Sequence, residues 1–467
     1  MKQINNHHIM ENTVIKLVLL LLLPLGFLWA QEVPNTLTSE QKAYELSLIW
    51  KEMSYNFDNM NHCPELDMDS LYRAFVPVVM ATADDFEYSK AVMRYLAHFR
   101  NNHTFVVDSP SWVDSLSQLP IRTEYKDGKI LLTNFTSQYA DKMHLGDELV
   151  SINGMSAVKF METYCLPYVP ATNDTDRWRK AMSNMGMWTV HPYGTMFDLE
   201  LKGITSYRLR IPADLMVGDN AINWIAKDYS RNKDNLCYID SLSGTGYLRI
   251  TDCFEKGRDF FLQHKDALSA CRRIILDLSH NSGGQSVNTD DVVGFLAKVD
   301  SLSSETILSK MNIAYLKAQA GYRCVEGSDP DDYLCQMKNG TYFYTLPATR
   351  YANPYYPNNF KGEVIVIQGY GTASAAEWLV ARLRQDKSIR FFGERTAGAT
   401  GNPYQLNLPS GLIVRFNTWR TFSPDGTETS YGFDPDVQID FSDCYKATEP
   451  AELYRRIVAI IEADFNK

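Results

Sequence analysis

The stretch VIVIQGYGTASAAEWLVARLRQD (Val364–Asp386) decides how this chain is read. It opens on the apolar run Val364–Gln368, which suits a buried strand. A turn of small residues follows, GTASAAE (Gly371–Glu377), with one serine, Ser374. Beyond it, apolar residues at Trp378, Leu379 and Leu383 suit an amphipathic helix. A serine between a strand and a helix is either a helix cap or a nucleophile exposed on a sharp elbow. Caps are the commoner outcome, so the choice rests on the rest of the chain.

Around this stretch strands and helices alternate. GYLRI (Gly246–Ile250) precedes a helix expected around Phe254–Cys271, and RRIILDLS (Arg272–Ser279) precedes one around Asp290–Ala297. After EVIVIQ and the Ser374 helix come IRFFGE (Ile389–Glu394) and the paired strands of LNLPSG–LIVRFNTW (Leu406–Trp419). Such alternation predicts a parallel-rich α/β layer fold, in which chemistry gathers at the carboxyl ends of strands. Ser374 stands at one such end. Asn281–Ser282–Gly283–Gly284 stands at another, where adjacent glycines let backbone N–H groups approach a ligand and serve as half of an oxyanion hole. An ordinary loop is the plain alternative for that segment.

Upstream, Ser39–Arg100 has apolar residues at helical spacing, with starts supplied at Asp69–Ser70 and Asp84–Asp85. From about Leu119 the pattern turns to short strands. KILLTNF (Lys129–Phe135) and ELVSINGMS (Glu148–Ser156) flank the helix-like SQYADKMH, and Asn153–Gly154 predicts a tight turn. A simple hairpin would give this pattern. The full order, strand, short helix, LGD, strand, NG turn, resembles a PDZ-like domain over residues 119–209.

The chain has 467 residues, 45% hydrophobic and 22% charged, ordinary for a globular protein of two or three domains. A net charge of −10 without a basic run argues against a nucleic-acid partner. Lys16 followed by LVLLLLLPLGFLWA (Leu17–Ala30) and then polar sequence predicts a signal peptide over residues 1–30, cleaved near Ala30–Gln31. An uncleaved anchor is the alternative, although a spanning helix wants about 20 apolar residues. The eight cysteines form no CxxC pair, so zinc is unsupported. Cys324 and Cys335 bracket a polar loop and are the expected disulfide, the others being expected as buried free thiols. Sequons at Asn102, Asn134, Asn173 and Asn339 would matter only on a eukaryotic secretory route.

Taken in order, these segments resemble the C-terminal-processing and tricorn-core serine peptidases. RIILDLSHNSGG resembles that family's strand–Asn–x–Gly–Gly motif, and GYGTASAAEWLVARLRQDKSIRFFGERTAG its nucleophile turn. YGFDPDVQID (Tyr431–Asp440) resembles the closing strand, LGDELVSING the PDZ domain, and LAHFRNNHTFV (Leu96–Val106) the segment that usually reads Asp–Gly–His–Thr. The resemblance covers nearly all of the chain after residue 30. It implies a crotonase/Clp-like α/β spiral core over residues 210–467, an N-terminal helical domain over 31–118 and the PDZ-like domain between them. It also implies an exported serine endopeptidase acting on polypeptides, with no metal or organic cofactor.

The family has two catalytic variants. A Ser–Lys dyad carries its lysine 25 residues after the serine, where this chain has Ala399, and no lysine occurs between Lys387 and Lys446. The tricorn-like variant takes its base from the histidine of the Asp–Gly–His–Thr segment, here His103 in NNHT. An unperturbed imidazole pKa of about 6.5 suits taking the serine proton and returning it to the leaving amine. The resemblance therefore implies Ser374 as nucleophile and His103 as base. It implies Glu428 as the glutamate that supports the base indirectly, although the usual position, three before Gly432, holds Thr429. The oxyanion donors would be the N–H groups of Gly284 and Ala375. His280, beside NSGG, is the rival base. Two other readings are a non-catalytic binding protein on the same scaffold and an enoyl-hydratase-like enzyme.

Overall fold

Alternation along the strands of the Ser374 segment builds the core. In a computed structural model of the chain, Ile274, Leu276, Val364 and Val366 face one side of a sheet, and Ile275, Ile365 and Ile367 face the other. Residues 37–108, 117–182, 194–215, 223–226, 229, 234–310, 320–321, 323–338 and 343–465 are described. From Thr38 onward they belong to one unit. The expected signal peptide and Asn339 lie outside the described residues.

Three helices come first: α1 (Ser39–Asn56), α2 (Met68–Met80) and α3 (Asp85–Ala97). Thr38 and Gln41 form a reciprocal capping box on α1. Asp84 caps α3 as its sequence suggests, whereas the cap of α2 is Asp67, two residues before the expected start. Leu46, Ile49, Met53, Val79, Val92, Tyr95 and Leu96 are buried among these helices. The chain leaves α3 through Arg100, in the left-handed region at φ 46°, and reaches β1 (Phe105–Asp108). His103 lies on that short bridge.

The next layer is antiparallel, with β2 (Ile121–Lys126), β3 (Lys129–Phe135), β4 (Glu148–Ile152), β5 (Met196–Lys202) and β6 (Ser206–Pro212) in that spatial order. Asn153 and Gly154 have φ of 51° and 79°, as an NG hairpin turn requires. Helices α4 (Ala157–Tyr164) and α5 (Asp174–Met182) accompany the sheet, and Ile130, Leu132, Ile152, Phe160, Phe197 and Leu199 make it a core of its own. β2 is an edge strand, and its Tyr125 stacks on Trp178 of α5 at 3.9 Å.

The last layer holds six strands in the order β7 (Leu236–Asp240), β8 (Thr245–Arg249), β9 (Arg273–Asp277), β10 (Glu363–Gln368), β11 (Arg390–Gly393) and, after the hairpin of β12 (Tyr404–Asn407) and β13 (Ile413–Phe416), β14 (Val437–Gln438). Every pairing is parallel except β7 with β8. Helices α6 (Glu255–Ser269), α7 (Asp290–Leu296) and α8 (Ala375–Leu383) bury Phe261, Val293 and Val380 against one face. The helix α9 (Pro450–Phe465) buries Ile457 and Ile461 against the other. This is the mixed α/β core with a helical N-terminal region that the sequence predicts. β13 also pairs with β1, Phe105 opposite Arg415, which brings residues 103–105 alongside residues 413–417.

Cys324 and Cys335 are bonded to each other, and the other six cysteines are free. Two sequons are structurally occupied. Asn102 and Asn134 are buried with their side-chain amides bonded to the Ala397 and Ala226 carbonyls. No helix among the described residues is long and apolar enough to cross a membrane.

Candidate active site

Ser374 precedes α8 but makes no capping hydrogen bond, and its backbone sits at φ 56°, ψ −123°. A non-glycine residue held there is strained. That conformation is expected of an elbow that lifts a side chain off a strand end, and the small residues Ala373, Ala375 and Ala376 give it room. The turn is stitched in place. Thr372 Oγ1 donates to the Leu278 carbonyl at 2.6 Å, and the Ala373 N–H donates to the Asn281 carbonyl at 2.9 Å.

Glu377, the last residue of GTASAAE, fixes the elbow from below. It is fully buried, and its carboxylate accepts from Thr396 Oγ1 at 2.6 Å, the Gly398 N–H at 2.8 Å and the Ala399 N–H at 2.7 Å. The Ser374 N–H bears on the same carboxylate. Burial pushes its pKa up to about 7, and these donors oppose the rise. In the sequence Glu377 reads as one more helix residue.

The glycine loop meets the elbow edge to edge. Gly283 has φ 91°, and a Cβ there would stand 2.6 Å from Ser374 Cβ. Its N–H is taken by Asn281 Oδ1 at 2.9 Å. Gly284, at φ 149°, and Ala375, the first residue of α8, have N–H groups with no acceptor among the described residues. Two unspent donors beside a lifted serine are the chemical requirement of an oxyanion hole.

A cavity of about 570 Å³ opens over Ser374, Ala373, Ser282, Gly283 and Gly284, and His103, Asn102 and Arg415 line it as well. The α5 residues Asp176, Arg179 and Lys180 form part of the same wall. His103 is buried, and its N–H backbone donates to Asn101 Oδ1 at 2.9 Å. Among the described residues its ring nitrogen Nδ1 has no hydrogen-bond partner, and neither has Oδ1 of buried Asn417. Burial, then the charges of Arg415 and Lys180, push the imidazole pKa down to about 3, against the pull of the Asn417 side chain and the Thr400 backbone. The ring is therefore neutral at physiological pH.

The structure does not bring every expected residue into this cavity. Glu428 is not on its wall. Its carboxylate is bonded by Asn61 Nδ2 at 3.2 Å and by Ser430, with His62 and Arg420 nearby. Burial would raise its pKa, but these groups together hold it below the usual value. Its neighbour Thr429 makes the connection instead: its hydroxyl donates to Thr400 Oγ1 at 2.9 Å, and the Thr400 backbone bears on His103. His280 lies in an adjoining cavity of about 790 Å³, its Nδ1 2.8 Å from Ser279 Oγ, which in turn donates to Asp277. Ala399 lines the Ser374 cavity without a lysine, but Lys180 reaches that wall from α5. Its ammonium donates to Asn102 Oδ1 and pairs with Asp176 at 3.5 Å, which leaves it a charged donor rather than a base. Lys180, Asn417 and Arg415 were not legible as site residues, because no motif marks them.

Residues 244–439 match the family described as Peptidase family S41. No curated protein sequence matches the chain. Among solved structures, mature CPAF complexed with lactacystin is similar at 12% identity, over 91% of this chain and 97% of that one, with a TM-score of 0.67. Mature CPAF itself gives 13% identity, 91% and 98% coverage and a TM-score of 0.66. At such identity the likeness speaks for the fold across nearly the whole length. The family match falls on the strands, the glycine loop and the serine elbow described above. Residues 244–439 are a peptidase family S41 domain, and the chain is a serine-type peptidase built around it.

Proposed function

We propose that the protein is an exported endopeptidase in which Ser374 attacks the peptide carbonyl and His103 takes its proton. The observation that carries this reading is a serine on a strained, uncapped elbow in one cavity with a neutral histidine. His103 accepts the Ser374 proton as the bond to the carbonyl forms, and the oxyanion rests on the Gly284 and Ala375 N–H groups. The imidazolium then returns the proton to the leaving amine. Water repeats the sequence on the acyl-enzyme and releases Ser374. Asn417 orients the imidazole, and Thr429, through Thr400, performs the indirect support expected of Glu428.

Residues 119–209 are proposed to act as a PDZ-like domain that holds substrate on the free edge of β2. The adjoining cavity supports this path. It is bordered by Thr123, Tyr125 and Trp178 on the β2–α5 side and shares Arg179, Ser282, Tyr370 and Gly371 with the Ser374 cavity. Export is supported by the apolar leader pattern and by the Cys324–Cys335 bond, since disulfides persist in oxidising compartments.

A fluorophosphonate probe followed by intact-mass analysis tests the reading. Wild-type protein should gain one adduct, mapped to Ser374, and folded Ser374→Ala should gain none. An equal adduct on both would remove Ser374 as the nucleophile. A folded wild-type protein that neither labels nor cleaves peptides would favour the binding-protein alternative.

A further inference from the structure

Three cations line the Ser374 cavity, and two of them are already matched. Arg179 is bonded to Glu394 and lies 3.8 Å over the Tyr370 ring. Lys180 is matched by Asp176 and Asn102. Among the described residues Arg415 has no carboxylate partner and no hydrogen bond from its guanidinium. Its guanidinium carbon lies 5.9 Å from the Phe105 ring, and its Nε is buried without an acceptor among the described residues. β13 holds the residue rigidly, between β1 and β12, so its backbone cannot swing the group out to water. Desolvation lowers its pKa, with no acidic neighbour among the described residues to offset it. A half-buried guanidinium left unmatched in a cleft is costly unless something else supplies the anion.

We infer that Arg415 is a specificity residue that receives a carboxylate of the substrate polypeptide within the Ser374 cavity. The inference rests on the peptidase reading above and adds the chemical class of substrate. A guanidinium binds a carboxylate through two parallel N–H···O bonds, which fixes the substrate as well as attracting it. The source of the carboxylate is either an Asp or Glu side chain near the scissile bond or the free C-terminus of the chain.

The site's own electrostatics favour the same occupant. His103 faces Arg415 from β13 and Lys180 from α5, with Asp176 paired to Lys180 and the neutral groups Asn417 and Thr400 beside the imidazole. Both cations oppose the imidazolium that the reaction must form. A carboxylate seated on Arg415 cancels much of that opposition, so the correct substrate also makes His103 a stronger base.

The test uses the full-length protein and a proteome-derived peptide library in two forms, native and with every carboxylate capped as its methylamide. Mass spectrometry reads which bonds are cut. The native form should be cut roughly 10- to 100-fold faster, the size of a charge-assisted hydrogen-bonded pair. Asp or Glu enriched beside the cut bonds would assign a side chain, and cuts clustered at a fixed distance from free C-termini would assign the terminus. In Arg415→Met the ratio of native to capped rates should collapse toward one, while Arg415→Lys should retain part of it. Equal cutting of both forms by wild-type protein would overturn the inference and leave the peptidase reading standing. If nothing is cut, fluorescence anisotropy of native and capped library peptides on Ser374→Ala protein gives the same ratio from binding. Equal binding there overturns the inference, and tighter binding of the native form upholds it even though the peptidase reading has failed.

Discussion

The two walls of the cavity are built in opposite ways. On the serine wall the groups that hold the elbow have their bonds: Glu377 accepts from Thr396, Gly398 and Ala399, and Thr372 and Ala373 are tied to the β9 loop. The Gly284 and Ala375 N–H groups are left without an acceptor among the described residues. On the histidine wall, Nδ1 of His103, Oδ1 of Asn417 and Nε of Arg415 are all buried without partners among the described residues. In the proposed mechanism this difference means that the nucleophile and its oxyanion donors are in place before substrate arrives, whereas the base is finished by what binds beside it.

Breaking the serine wall should have the largest consequence. Ser374→Ala should lower kcat/KM by roughly 10⁴-fold or more with an unchanged Tm, because the hydroxyl bonds nothing structural. On the opposite wall, His103→Ala should cost roughly 10²–10⁴-fold in kcat, the usual range for a general base. Residual turnover near wild type in folded His103→Ala would send the search to His280.

Glu377→Ala attacks the built wall through stability rather than chemistry. It strips the acceptor from three buried donors, and a loss of about 3 kcal/mol is expected in denaturant titrations. The pH dependence has a defined sign. A carboxyl whose folded pKa is raised to about 7 contributes stability in full below its unfolded value of 4.5 and loses it as pH rises through about 7. Wild-type protein should therefore weaken between pH 5 and 8, and Glu377→Ala should lack that slope. An unchanged slope in the variant would place its origin elsewhere.

Asn417→Ala sharpens the picture of the unfinished wall. As a positioning residue it should lower kcat by about 10-fold with little change in KM, within the range of second-layer hydrogen bonds. Asn417→Asp should raise the pH at which activity falls, because a carboxylate favours imidazolium. A rise in KM alone would instead make Asn417 a substrate contact.

The same contrast explains what the sequence could tell. The elbow is local: strand, small-residue turn and helix lie within Val364–Asp386, and their periodicities are visible without tertiary information. The Asn153–Gly154 turn and the Cys324–Cys335 bond were legible for the same reason. Arg415 and Asn417 are about 310 residues from His103 and reach it only through the β1–β13 pairing. Lys180 arrives from a different layer altogether. Glu377 was in view but unread, because burial and bonding to residues 396–399 cannot be inferred from its helical position. Glu428 belongs to a motif that fits imperfectly here, and its carboxylate is bonded to Asn61 and Ser430 instead.

Whether a buried, neutral His103 activates Ser374 is read from the rate of fluorophosphonate labelling against pH. With the imidazole pKa held near 3 by burial and by Arg415 and Lys180, the wild-type rate should stay level from pH 8 to pH 5. In Arg415→Met the rate should begin to fall at a higher pH, because one opposing charge is gone. Folded His103→Ala should label roughly 10²–10⁴-fold more slowly at every pH. Labelling of that variant at the wild-type rate, with the same pH profile, would contradict the account.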